Sequence, residues 1–143
     1  MVMNPKLFVA AAALGLLAWV PLSAHHSVAG EFDPTKSVTV TGTVSKVEWV
    51  NPHSRVHFDV KGADGKVTTW SVELAARNVL ERNGWRGNAL KIGEVITVTG
   101  DQARSGAPMM NARARELEAL QKGGAKYYPI VRGDGTPVLF ERE

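Results

Sequence analysis

The chain opens with a block that has no periodicity. Leu7–Val20 is an unbroken apolar run behind a short basic head, Met1–Lys6, and Pro21 ends it. After a polar lead-in, alternation begins. Val38, Val40 and Val44 alternate with Thr39, Thr41 and Thr43, the period-two pattern of a half-buried strand. The apolar positions then switch parity, to Val47 and Trp49. One extra residue near Ser45 or Lys46, a β-bulge bending a long first strand, produces such a slip. Asn51-Pro52 ends the strand. Arg55–Val60 alternates again, with Val56, Phe58 and Val60 on one face, and Gly62–Gly65 reads as a hairpin turn. Thr68, Trp70, Val72 and Leu74 mark a third strand. Ala75–Asn83 reads as a short helix with Gly84 at its end. A turn at Leu90–Glu94 leads into a fourth strand, Val95–Gly100. Ser105–Pro108 is a loop, and a fifth strand is expected over Asn111–Leu117.

Three strands, a helix and two strands, the first one bent, is the order of an OB-fold. The expected class is therefore all-β with one short helix, in a five-stranded, partly open barrel. An immunoglobulin-like sandwich would want about seven strands and no helix at that place. Beyond Gly123-Gly124 the tail reads as peripheral, although Asp134-Gly135 between Ile130-Val131 and Val138–Phe140 has the form of a small hairpin. The organisation expected is a signal peptide at 1–24, a lead-in at 25–36, the barrel domain at 37–122 and a C-terminal tail at 123–143.

The leading block has the basic head, apolar centre and small residue at Ala24 that mark a secretory signal peptide. A retained anchor is the rival reading, but the apolar run falls short of the roughly 20 residues that span a bilayer. Export to the periplasm or out of the cell is the expectation, with no membrane span after cleavage. Removing residues 1–24 leaves 119 of the 143 residues, enough for one core without staples. The net charge is +3 for the full chain, and the leader takes one lysine with it. So mild an excess does not call for nucleic acid. With no cysteine in the chain, disulfides and thiolate metal sites are excluded.

All four histidines, His25, His26, His53 and His57, lie early in the mature chain. Cleavage after Ala24 would give His25 a free α-amino group beside its imidazole. Those two nitrogens can chelate one ion, and a further imidazole completes a histidine brace, a donor set that suits Cu(II). His53 and His57 are four residues apart, about 13 Å in an extended strand, so both are not expected on one ion. His53 is the choice, because it sits in the loop between strands one and two, at the usual binding edge of an OB-fold. The lead-in is long enough to run back along strand one to that loop. His26 would add an imidazole or only its backbone amide. Met109-Met110, read as part of the loop between strands four and five, would suit Cu(I) if they approached the site; packing is the commoner fate of methionine.

Each histidine taken singly has a plain structural reading: a polar start for His25 and His26, a turn hydrogen bond for His53, a solvent-facing strand position for His57. Arg113 and Arg115, sharing a strand face with Asn111, are candidates for an anion or for a solvated edge. Trp49 is a possible stacking platform, while Trp70 belongs by parity with the core. Glu48, Glu73, Asp59 and Asp33 are scattered, with no carboxylate pair forced together. There is no nucleophile elbow and no phosphate loop, so an enzyme is not indicated.

Ala24–Ser27, Glu31–Asp33, Val38–Trp49, Asn51-Pro52-His53, Gly84-Trp85 and Leu90–Glu94 together resemble a family of small exported bacterial proteins, domain of unknown function 6152. The resemblance runs from about His25 to Leu117. It implies that the His-His-Ser start and the Asn-Pro-His loop belong to one domain, with His25, His26 and His53 in matching positions. Ser54-Arg55 and the longer Gly124–Glu143 tail depart from the family and are not expected to touch those ligands. Two functions follow as expectations. One is an exported barrel that binds copper through His25, His26 and His53 for handling or delivery. The other is a metal-free periplasmic module holding a peptide, an envelope component or a partner protein. A redox enzyme on the same copper site would need an open coordination position and a substrate surface, and neither is visible in the sequence.

Overall fold

A computed structural model describes residues 28–82, 84–112 and 127–139. The expected His25 and His26, the leader, Arg113 and Arg115 lie outside the described residues. The elements are α1 (Val28–Glu31), β1 (Phe32–Glu48), β2 (Arg55–Lys61), β3 (Val67–Glu73), α2 (Arg77–Arg82), β4 (Val95–Ala103), β5 (Met109–Asn111), β6 (Tyr127–Arg132) and β7 (Pro137–Leu139). No helix among the described residues is long and apolar enough to cross a membrane.

The strands close a five-membered ring in the order β1-β2-β3-β5-β4, with β4 returning to β1. All neighbours are antiparallel except β3 and β5, which run parallel. With α2 between β3 and β4, this is the expected OB-fold-like barrel. One strand serves two partners because β1 is long and bent: its first part pairs with β4 and its second with β2. The bend has the predicted cause. Val44 lies opposite Phe58 and Lys46 opposite His57, so Ser45 is the extra residue of a bulge. Val44 is buried before it and Val47 packs on the core after it, as the parity switch requires. At Gly42 the barrel coils too tightly for a side chain: a Cβ there would stand 2.7 Å from the Asp59 carbonyl oxygen and 2.8 Å from the Phe58 ring.

Helix α2 is shorter than the sequence suggests but ends as expected. Gly84 takes φ 88°, a conformation only glycine adopts freely, and Trp85 N–H donates to the Leu80 carbonyl. Leu80 and Trp85 deliver this segment's apolar groups to one end of the barrel, against Val56, Phe58, Val72, Leu74, Ile96 and Val98.

Three expectations change. The lead-in, read as lying outside the barrel, joins it from Phe32 onward: β1 begins at this residue, which is buried and pairs with Ala103 across a bulge before Ser37. Arg104 fixes α1 there, its Nε donating to the Ala29 carbonyl at 3.0 Å and its N–H to the Glu31 carbonyl at 2.9 Å. The fifth strand begins two residues earlier than expected, so Met109 and Met110 are strand residues and Met110 is fully buried in the core. The C-terminal hairpin forms around Asp134-Gly135 and is not peripheral. Strand β6 pairs with β4 at Ile96–Val98, and Ile130 and Val138 are core residues.

Candidate metal centre

The loop from Trp49 to Ser54 is clamped on both sides. Ser54 donates its N–H to the Ala75 carbonyl at 3.1 Å and accepts from Leu74 N–H at 2.8 Å, extending the β2–β3 ladder past its last pair. Its hydroxyl donates to the Val50 carbonyl at 3.1 Å, which folds the loop over itself. From the other side, Arg77 N–H donates to the Val50 carbonyl at 3.1 Å and Asn78 N–H to Asn51 Oδ1 at 3.4 Å. The Asn51-Pro52 peptide is cis. Trp49 stacks on Trp85 with ring centroids 6.3 Å apart and donates Nε1–H to Glu81 at 3.2 Å. These bonds hold His53 on a rigid base, the condition for a ligand whose position must not wander.

Beneath His53 lies Glu73, its side chain only 4 % exposed. By parity it belongs to the outer face of β3, opposite Val72 and Leu74. It is buried because β5 runs alongside, with Asn111 its direct neighbour, and because the loop folds over it. A carboxylate so placed is costly unless donors surround it. Three do: His53 Nδ1 lies 3.1 Å from Oε1, Asn111 Nδ2 donates to Oε1 at 3.2 Å, and Arg55 Nη2 donates to Oε2 at 3.0 Å. Asn111 itself is fully buried.

This geometry sets the chemistry of His53. With Nδ1 set against a carboxylate, Nε2 is the nitrogen through which the ring would bind an ion. Carboxylate, imidazole and metal in line are the usual outer-shell arrangement of metal-binding histidines. The His53 side chain is about one-third exposed, so it is accessible from solvent.

His57 is placed differently. It lies on the outer face of β2 with Nε2 3.1 Å from Glu48 Oε2, half-buried and not simply solvent-facing. The Lys46 ammonium, and after it His57, hold the Glu48 carboxyl down at about 2. The two histidines thus answer to separate carboxylates. Among the described residues, no three histidine or acidic side chains converge to hold an ion. The remaining candidates fall into structural roles. Asn111 donates to the Glu73 carboxylate, Trp70 packs partly buried against the core, and Asp59 accepts from Thr69 Oγ1 at 2.7 Å. Arg55, not expected to touch the ligands, shares the Glu73 carboxylate with His53. Glu73 was hidden in the sequence by its parity; the only signal was its position opposite Arg55, once the β2–β3 hairpin is aligned.

The model of the family of unknown function DUF6152 matches residues 14–111. No curated protein matches the chain. Among the solved structures that match is a small single-stranded DNA-binding protein from Streptomyces coelicolor, at 13% identity and a TM-score of 0.29, covering 46% of this chain and 72% of that one. So slight a likeness carries nothing about a ligand.

Proposed function

The chain belongs to the DUF6152 family of unknown function, and on that premise we propose that it is an exported OB-fold-like barrel that binds Cu(II) for handling or delivery. The observation that carries this reading is the bond between His53 Nδ1 and the buried Glu73, which readies Nε2 as a ligand nitrogen. Cleavage after Ala24 would supply the other ligands, the α-amine and imidazole of His25, with His26 beside them. Amine and imidazole nitrogens favour Cu(II) over the other divalent first-row ions. Only His26 and Ser27 separate His25 from Val28, three residue steps or about 10 Å of extended chain. Completing the site therefore depends on His25–Ser27 turning toward the Asn51–Ser54 loop.

The test uses protein exported and processed by a bacterial host, with intact mass showing His25 as the first residue. A matched sample carries one extra glycine before His25, and each is titrated with Cu(II) and followed by electron paramagnetic resonance. Tight binding with a three- or four-nitrogen spectrum is expected, weakened at least tenfold by the extra glycine and again by His53→Ala. A second reading, a metal-free module for a peptide, envelope component or partner protein, draws on one observation: Arg55 and Asn111 already satisfy Glu73. Weak binding that is equal in both samples would decide for it.

A further inference from the structure

The barrel wall is incomplete along one strand. Along one edge β3 pairs with β2 over its whole length, from Val67 opposite Lys61 to Glu73 opposite Arg55. On its other side β5 covers only Ser71–Glu73. Ser71 turns its N–H away from β2 to the Pro108 carbonyl, at 3.0 Å. Backbone groups of an antiparallel strand alternate direction, so Thr69 and Val67 also point outward. Among the described residues, no backbone partner meets them there. Val67 is 60% exposed, and Thr68 and Thr69 are exposed as well.

Open edges are normally blunted by proline, lysine, a bulge or a cover. The strand at the end of the sheet, β7, starts with Pro137. Val67-Thr68-Thr69-Trp70 contains no proline, lysine or bulge and is made of strong β-formers. We infer that this edge of β3 pairs antiparallel with the same edge of a second copy of the chain, about a two-fold axis through Thr68.

The register follows from the hydrogen-bonding pattern. Outward-pointing residues must face outward-pointing residues, so Val67 meets Thr69 of the other copy and Thr69 meets its Val67. Each pair exchanges two bonds, four in all. A slip by two residues toward Ser71 is blocked, because its N–H is already bonded and β5 occupies that side. The same register sets Thr68 against Thr68 on the axis, and Lys66 against Trp70 in both halves. Lys66 is well exposed and Trp70 only partly buried, so each half gains an ammonium beside an indole. Because a two-fold interface uses one patch twice, every contact occurs in duplicate. An edge this short gives a modest affinity, with Kd on the order of 100 μM. The inference is independent of copper.

The measurement is sedimentation equilibrium of the processed protein from about 10 μM to 1 mM, with amide proton exchange followed by NMR over the same range. A monomer–dimer equilibrium is expected, with the Val67 and Thr69 amides gaining protection as concentration rises. Thr68→Asp sets two carboxylates against each other on the axis, and Val67→Pro removes an outward donor without touching the β2 ladder. Each should weaken dimerisation at least tenfold, while Thr39→Asp on the β1–β4 face should not. Thr68→Asp keeps every backbone donor, so it tests the interface even if the proline variant folds poorly. A wild-type monomer at 1 mM would overturn the inference, as would a dimer that Thr68→Asp leaves unchanged.

Discussion

Glu73 links the loop, two strands and the histidine proposed as a ligand. Its Oε1 serves His53 and Asn111, and its Oε2 serves Arg55. Removing a buried carboxylate does not only delete three bonds; it takes an acceptor from the fully buried Asn111 and from a nearby guanidinium. Arg55 and His53 are both partly exposed, so water recovers some of that loss. Glu73→Ala is therefore expected to cost about 2–3 kcal/mol in urea unfolding, at unchanged m-value. Glu73→Gln keeps the shape and one acceptor oxygen and should cost less than half as much. The two variants also separate stability from ligation. Glu73→Gln should fold yet bind Cu(II) less tightly, because a neutral amide orients the His53 ring less firmly than the carboxylate at its Nδ1. Unchanged copper affinity in Glu73→Gln would mean that the carboxylate serves the fold alone.

At the scale of elements, β1 carries the barrel, and its sequence states most of its geometry. The alternation of Val38, Val40 and Val44, and the switch to Val47, give both the strand and the position of the bulge, because each depends on adjacent residues only. Gly42 is the point where close approach to β2 forbids a side chain. Gly42→Ala would drive a Cβ to 2.7 Å from a backbone oxygen that cannot rotate away, and is expected to destabilise by about 1–3 kcal/mol in thermal or urea unfolding. A neutral effect would mean that β1 and β2 can separate there without loss. What the sequence did not disclose depends on contacts between distant segments. Glu73 reads as solvent-facing until β5 runs parallel beside it, a pairing across nearly forty positions that no local pattern encodes. Met109-Met110 breaks alternation next to Ser105–Pro108 and so reads as loop, although Met110 is pressed into the core. The lead-in hides a strand start because a single apolar residue, Phe32, anchors it.

At the scale of the molecule, β4 decides how much of the chain folds as one unit. One edge pairs with β1 throughout, while the other is divided: β5 takes Asp101-Gln102 and β6 takes Ile96–Val98. The C-terminal hairpin thus prolongs the wall that β5 begins. It is tied at its far side as well, where Arg132 bonds Glu94 and donates to the Ala89 carbonyl at 2.8 Å. Ile130 and Val138 place their side chains among Ile96, Val98 and the α2 residue Leu80 in one continuous core. A core shared in this way should melt in one transition. Ile130→Ala removes a fully buried side chain and is expected to cost about 2–4 kcal/mol, lowering Tm by roughly 10 °C in a single cooperative step. The same variant read by amide exchange should lower protection in β1 and β4 together with β6, because the hairpin and the barrel open as one. A Tm within a degree of the parent, with exchange raised only in residues 127–139, would instead make the hairpin an appendage that folds on a finished barrel.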